Sequence, residues 1–431
     1  MSFSYDDLPD LLLVEILCRL PRKEFVFQCK CVSKHWLNLI SDPYFIGRFL
    51  HLQRFQKKTP IARTLMDRRG EEFPTPRTAQ SSSNLLDPLF ERVMSFHGLE
   101  EKPYVVGTSN DLVLCCRTPY YINQREFYIC NPCTRQWIAL PPTARCCTHA
   151  AVGFISNLYY EEDSTTSGTA VNINSDYRCK VVRILPHYSA TMSLWVVEHC
   201  KFIVQVFCLE TGQWRESIAS SPRNIEFADI TGVAYNGMLY WTYKASEPRG
   251  ETGIIRLDPF MIGNGSAASG SPNGVEIVDD DHFQFQFQLF DAVNDNNLLD
   301  NPFIYVRRGR LQMWARSWPY ENDVWELTGS PDKLYMKQVS VYFVDSEVLL
   351  DGYNRGAYLL ALDPNDEDIF HVQSYGKTRC YFMYNIRTES WSKVDSTRYF
   401  EYWTDGDLYK LVLPWWPTPL RRLPLVEELP I

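Results

Sequence analysis

At 431 residues the chain exceeds the usual size of one domain, so two units are expected, one of them a large repeat fold. Hydrophobic residues at 45% allow a sizeable core, and aromatic residues at 14% favour strands over helices in most of it. A net charge of −9 argues against nucleic acid as the main partner.

The charge is uneven: residues 1–60 carry nine Lys/Arg against six Asp/Glu, a net of +3, and the remainder carries −12. A basic front end suits an acidic partner surface. Met1 to Asp7 contain no basic segment followed by an apolar one, and no apolar run reaches membrane-spanning length. The expectation is an intracellular protein, in the nucleus or cytoplasm, with no membrane partner. Its 13 cysteines, an odd number, then read as mostly reduced thiols.

In chain order, Asp6 or Asp7 can cap a helix with Pro9 among its early positions. Leu13, Ile16, Leu17 and Leu20 fall at i, i+3, i+4 and i+7, one helical face, and Pro21 ends it. Phe25 and Cys29 are spaced for one side of a second short helix. Ser33 is placed to cap a third, whose apolar face is Trp36, Leu39 and Ile40. After Asp42-Pro43, Phe45, Phe49 and Leu52 continue in a fourth. Helices this short are marginal alone, and roughly 45 residues is near the lower limit for an independent core. Such a unit is expected to lean on a partner.

This stretch resembles the F-box motif through Leu8-Pro9, Ile16-Leu17, Arg19-Leu20-Pro21, Cys31 to Trp36, Leu39-Ile40 and Pro43-Tyr44-Phe45, in the order and spacing of that motif. The resemblance implies docking on a Skp-type adaptor, and through it a cullin, by hydrophobic helix-on-helix contact. It assigns that contact or its immediate support to Leu8, Pro9, Ile16, Leu17, Leu20, Pro21, Val32 and Trp36.

Residues 54–84, with Lys57-Lys58, Arg68-Arg69, Pro74, Pro76 and Ser81 to Ser83, read as a linker. From about 85 the pattern is strand, turn, strand, with no competing helical periodicity. Thr134-x-x-Trp137, Thr211-x-x-Trp214 and Thr388-x-x-Trp391 each follow a strand-like run. Asn236-Gly237 between apolar runs is a strong hairpin signal, and Arg308-Gly309 repeats it. Asp258-Pro259 and Asp363-Pro364 close further strands, and Phe283 to Phe290 alternates strictly, as a strand with one buried face.

Such units recurring at roughly 40–50 residues are the mark of a kelch-like β-propeller, and at that period the region makes six to eight blades. One blade cannot bury both faces, so several must close into a ring, with recurring Trp and Tyr between them. The region resembles the F-box-associated, kelch-like domain of plant F-box proteins, most clearly at 109–115, 128–141 and 384–391. Asp111 departs from it, standing where a Gly usually follows Asn, and implies another turn type. The expected organisation is a small all-α F-box at 1–53, a linker at 54–84, an all-β propeller at 85–415 and a tail at 416–431. Two polar loops, 161–176 and 263–274, read as insertions or as substrate-facing segments.

Chemistry-bearing clusters are weak. Cys130-x-x-Cys133 with Cys146, Cys147 and His149 is the best metal-like set, but Cys130 alternates within an apolar strand. Asp279 to Asp281 with His282 reads as a solvated acidic loop. Tyr305 to Trp318 mixes aromatics with Arg307, Arg308, Arg310 and Arg316, either a solvated strand face or a site for an acidic or phosphorylated partner. Phosphate-loop, nucleophile-elbow and His-Glu-x-x-His patterns are missing. The expectation is therefore an adaptor rather than an enzyme, with no catalytic residues, no cofactor and no metal. By resemblance it is the substrate-recognition subunit of an F-box ubiquitin ligase, its propeller holding an unidentified protein substrate. A non-ligase scaffold and a propeller enzyme or carbohydrate-binding module are the alternatives.

Overall fold

The computed structural model describes residues 9–423 apart from 21–22, 56–61, 74–84, 120–121, 123, 146, 148–149, 163–170, 175–176, 192–193, 229, 246–250, 261–283, 293–299, 318–320, 331–332, 344–356, 375–379 and 395–407. The front end is four short helices, α1 (Asp10–Cys18), α2 (Lys23–Cys29), α3 (Lys34–Ser41) and α4 (Pro43–Phe55). Ser33 caps α3 as the sequence predicts, its Oγ accepting the Trp36 N–H at 3.1 Å. Pro9 sits at the N-cap of α1, its carbonyl accepting the N–H groups of Leu12 and Leu13. Glu15 on α1 accepts from Arg48 Nε on α4 at 2.6 Å, an ion pair that holds its carboxyl below the ordinary range.

A fifth helix, α5 (Asp87–His97), stands where the sequence reading expects strand. Leu89, Phe90 and Val93 form its buried face, Pro88 lies in its first turn, and Gly98 ends it at φ +62°. That three-residue stripe is too narrow to register as periodicity amid a β-rich pattern. It packs on the two middle strands of the first blade through Val113, Cys115, Tyr128 and Cys130.

Among the described residues five blades follow, not six to eight. Blade 1 is Tyr104–Ser109, Leu112–Cys116, Phe127–Asn131 and Gln136–Ala139; blade 4 is Asp300–Arg307, Arg310–Ser317, Glu321–Ser330 and Lys333–Phe343; blade 5 is Ala357–Leu362, Ile369–Ser374, Cys380–Asn385 and Ser390–Val394. All three are antiparallel meanders. Blade 2 contains Ala151–Ser156 and the long strands Cys179–Thr191 and Leu194–Cys208, ending in Gln213–Ser220. Blade 3 pairs Met238–Ala245 with Ile225–Phe227 and Val233–Tyr235 on one side and Thr252–Leu257 on the other, then Gln288–Ala292. Blades 2 and 3 outrun the assumed period because their strands and connections are long, so the same length of chain makes fewer blades.

The alternating run at 283–290 does not form one strand. Gln284–Gln286 adds in parallel to the edge of blade 2, whereas Gln288–Ala292 belongs to blade 3, and buried Phe287 lies between them. The first strands of successive blades touch one another around the ring. Ser156 N–H donates to Ser109 Oγ at 2.8 Å between blades 1 and 2, and Val152 N–H to the Ile230 carbonyl at 2.6 Å between blades 2 and 3.

The ring closes through a two-stranded ribbon. Ala62–Met66, inside the expected linker, pairs antiparallel with Tyr409–Leu413. On one side Thr108 Oγ donates to the Lys410 carbonyl and Val412 N–H to that of Asn110. On the other, Asn365 donates to the Arg63 carbonyl, and Leu65 and Leu408 pack with Leu360 of blade 5.

The three Thr-x-x-Trp units share a geometry. Arg135, Gly212 and Glu389, each following the threonine, are left-handed at φ +56°, +69° and +53°. In blades 1 and 5 an asparagine carbonyl starts the turn: Asn131 accepts from the N–H of Cys133 and Thr134, Asn385 from Arg387 and Thr388. The tryptophans then lie on the strand that follows each turn: Gln136–Ala139, Gln213–Ser220 and Ser390–Val394. Trp214 touches Phe127 of the neighbouring blade and donates to the Pro141 carbonyl at 2.8 Å, so it spans blades 1 and 2 as expected.

Candidate functional site

The helix α1 is apolar on nearly all sides, DLLLVEILC, the pattern of a helix covered from more than one direction. Its own protein covers only one. Leu13, Val14, Leu17 and Cys18 pack into a core with Val26, Ile40, Phe45 and Phe49. Leu11, Leu12 and Ile16 remain 67, 54 and 53% exposed. Val32, Phe25, Leu37 and Tyr44 add 63, 42, 44 and 61% exposed apolar side chains from the same helical unit. Scattered exposed hydrophobics are ordinary, but this density in one small unit marks an interaction surface.

The residues assigned from sequence divide accordingly. Ile16 and Val32 are exposed, and so is Pro9. Leu17 is buried, while Leu20 and Trp36 are half-buried against the helical core and support it from inside. Leu8 and Pro21 lie outside the described residues. Leu11, Leu12, Phe25, Leu37 and Tyr44 are not among the contact residues the sequence assigns: a stripe of Leu13, Ile16, Leu17 and Leu20 reads as the whole apolar face of α1 only if the opposite face is polar, which it is not.

The core of this unit is completed from the far end of the chain. Trp416 is 3% exposed and inserts between Phe27, Phe45 and Phe49, with ring centroids at 5.1, 6.0 and 5.5 Å. Lys30 Nζ lies over the Trp416 ring at 5.1 Å, and burial there pulls its pKa down. Two residues on, Thr418 is held by the first blade. Its N–H and Oγ donate to the two Asp111 carboxylate oxygens at 2.7 and 2.6 Å, and Asn131 Nδ2 donates both to Asp111 and to the Thr418 carbonyl. Tyr177 OH donates to the carbonyl of Pro419. The described part of the expected tail, from Trp416 to Pro419, is thus a strap between helices and propeller. Tyr159, on the connection after the first strand of blade 2, also packs against the helical core.

The unusual Asp111 is explained by this contact. Asn110, not Asp111, takes the left-handed conformation at φ +55°, leaving Asp111 free to point its carboxylate at the strap.

The metal-like set does not assemble among the described residues: Cys130 lies in the hydrophobic core under α5, and no group of three or more His, Cys, Asp or Glu gathers as a cation site there. Cys146, His149, 279–282 and 263–274 lie outside the described residues, as do 163–170 of the other polar loop. The segments flanking 163–170 pair as Tyr160–Glu162 with Val171–Ile173. Buried His371 sits at 3.0 Å from Asp363, and that contact with two backbone N–H bonds outweighs burial to keep the Asp363 carboxyl low. No described helix is long and apolar enough to cross a membrane.

Residues 6–46 match the F-box domain family, and residues 88–268 match the family described as F-box protein At3g26010-like, beta-propeller. F-box protein At5g49610 of Arabidopsis thaliana is 24% identical over 340 residues, covering 75% of this chain and 78% of the relative. F-box only protein 8 from the same organism is 46% identical over 134 residues, covering 31% of this chain and 42% of its own length, and the putative F-box protein At3g52320 is 33% identical over 140 residues, 31% and 33% respectively. Among solved structures, the six-bladed fungal lectin of Aleuria aurantia overlaps 66% of this chain and 72% of its own at 11% identity and a TM-score of 0.30, too loose to bear on blade number or ligand. The chain thus carries an F-box domain at its N terminus followed by an F-box-associated β-propeller domain, and its relatives are F-box proteins of Arabidopsis thaliana.

Proposed function

We propose that this protein is the substrate-recognition subunit of a Skp–cullin type ubiquitin ligase. The observation that carries the reading is the exposed apolar face of Leu11, Leu12, Ile16 and Val32 within an F-box domain. The face would take a hydrophobic helix of a Skp-type adaptor, and a cullin would join through that adaptor. The propeller would hold a protein substrate, and the strap through Trp416 and Thr418 would fix where it is held. The contribution to rate is then proximity: substrate and charged enzyme share one assembly, so ubiquitin transfer becomes effectively intramolecular. No bond-making residue of this chain enters that scheme.

The test is co-purification with a Skp-type adaptor. Leu12→Asp with Ile16→Asp places two charges on the exposed face without touching the core and is expected to abolish capture while the melting temperature stays near that of the wild type. Failure of the wild type to capture any such adaptor defeats the reading; equal capture by the variant moves the contact elsewhere. A scaffold without ligase activity would retain adaptor capture but recruit no cullin.

A further inference from the structure

We propose that Thr418 is a phosphorylation site, and that a phosphate there releases the strap that couples the helices to the propeller. The consequence for adaptor binding rests on the ligase reading above; the release itself does not.

Thr418-Pro419-Leu420-Arg421 is a threonine followed by proline with a base three positions on, a sequence that proline-directed protein kinases accept. The same pattern occurs at Ser330-Pro331-Asp332-Lys333, but there Ser330 and Lys333 are paired across adjacent strands of blade 4. The stretch from Pro414 to Leu423 is neither helix nor strand, and Pro419 biases Thr418 towards extended backbone, the form in which a kinase cleft takes its substrate.

Few bonds hold this stretch to the propeller, and most of them run through Thr418. Its N–H and Oγ donate to the two Asp111 oxygens, its carbonyl accepts from Asn131, and the next carbonyl, of Pro419, accepts from Tyr177. Arg421 lies over the Tyr177 ring at 5.2 Å, and Leu420 and Leu423 are only partly buried against the core between blades 1 and 2. A segment tied down in this way opens locally without unfolding the blades beneath it, and opening exposes the hydroxyl.

In the closed strap that hydroxyl is a donor to a buried carboxylate. Phosphorylation reverses its role. The γ-phosphoryl group of ATP passes to Thr418 Oγ: the bridging P–O bond to the β-phosphate breaks, the Oγ–P bond forms, the hydroxyl proton goes to the catalytic aspartate of the kinase, and ADP leaves. Oγ can then no longer donate, and up to two negative charges stand against Asp111. The bonds that hold Asp111 come from neutral groups, Thr418 and Asn131, and burial already disfavours its own charge. A second anion in that buried site is repelled and stripped of water, so the strap cannot close again. Arg421 and Arg422, three and four positions on, are placed to pair with the phosphate in the open strap. Trp416 is two residues away. Release withdraws it from between Phe27, Phe45 and Phe49, so a change made on the propeller loosens the helical core that carries the exposed apolar face.

The test incubates the full-length protein with a proline-directed kinase and Mg·ATP, maps the phosphate by mass spectrometry, and follows the modified protein by hydrogen exchange and by capture of a Skp-type adaptor. Phosphate is expected at Thr418, with faster exchange in α1 to α4, unchanged protection in the blades, and adaptor capture weakened by about tenfold or more. Asp111→Asn, which weakens the closed strap and leaves the kinase sequence intact, should be labelled at 418 about tenfold faster than the wild type, and a free peptide of residues 413–423 faster still. Pro419→Ala keeps Thr418 and the carbonyl that accepts from Tyr177 but removes the kinase sequence. It should take no label at 418, and its helices should keep wild-type exchange after the same treatment. Absence of label at 418 in the wild type, a labelling rate indifferent to Asp111→Asn, or full protection of α1 to α4 in the phosphorylated protein overturns the proposal. If the phosphate loosens the helices of a protein that captures no Skp-type adaptor even when unmodified, the ligase reading falls and the site stands.

Discussion

Asp111 and Thr418 are bound through two hydrogen bonds, at 2.7 and 2.6 Å, across 307 positions of sequence. Both are buried, and Asn131 bridges them. Thr418→Val keeps the shape but removes one donor from a buried carboxylate. A loss of roughly 1–3 kcal/mol is expected, because the acceptor cannot turn to water. Asp111→Asn in the same background should cost much less than it does alone, since the pair acts as one unit. Urea unfolding of the four-member cycle reads the coupling; additive losses would show that the two residues do not depend on each other.

Trp416→Ala removes the side chain around which Phe27, Phe45 and Phe49 are arranged. The expected cost is about 3–5 kcal/mol, concentrated in the helical unit. Hydrogen exchange should accelerate in α1 to α4 while the blades keep their protection, and adaptor capture should fall with it. If α1 to α4 remain protected, the helices do not need the strap.

Asp67 gives a pH dependence of definite sign. Burial, opposed by the N–H bonds from Arg69 and Glu71, pushes its pKa from 3.8 up to about 6. Between those values the folded protein holds a proton that the unfolded chain has lost. Stability attributable to this group is therefore full below the unfolded value and falls as pH rises through about 6, by ~3 kcal/mol in all. Asp111, also raised by burial, acts in the same direction. Asp67→Asn keeps an acceptor for both N–H groups and should flatten the fall in unfolding free energy between pH 4 and 6, without abolishing the Asp111 share. An unchanged slope would mean that Asp67 is not the source.

Two glycines and a third should respond oppositely to alanine. A Cβ at Gly153 would meet the Trp241 ring at 2.6 Å, and one at Gly232 would meet it at 2.5 Å. Trp241 is fully buried between the inner strands of blades 2 and 3, so either Gly153→Ala or Gly232→Ala should cost ~1–3 kcal/mol. Gly47, inside α4, has nothing within 4 Å of its would-be Cβ, and Gly47→Ala should stabilise by ~0.5–1 kcal/mol through helix propensity. Thermal unfolding of the three variants checks the signs.

Much of this was legible in the residues because it is local. The Ser33 cap, the Trp36–Leu39–Ile40 and Phe45–Phe49 faces, the Asn236-Gly237 hairpin and the Thr-x-x-Trp turns each depend on neighbours a few positions away, where side-chain period and backbone preference decide the outcome. The helix α5 is local too, yet its apolar stripe was too short to stand out from the strands around it.

What the chain could not declare by itself is which distant surfaces meet. The number of blades depends on how long the strands of blades 2 and 3 run before they turn, and on the 283–290 run being shared between two sheets. The helical unit announces itself in the first fifty residues, but its last core residue, Trp416, comes from the other end of the sequence, and so does the ribbon strand that closes the ring. Spacing fixes which face of a helix is apolar; only packing decides whether that face is covered by the protein itself, as at Leu13 and Leu17, or left for a partner, as at Leu12 and Ile16.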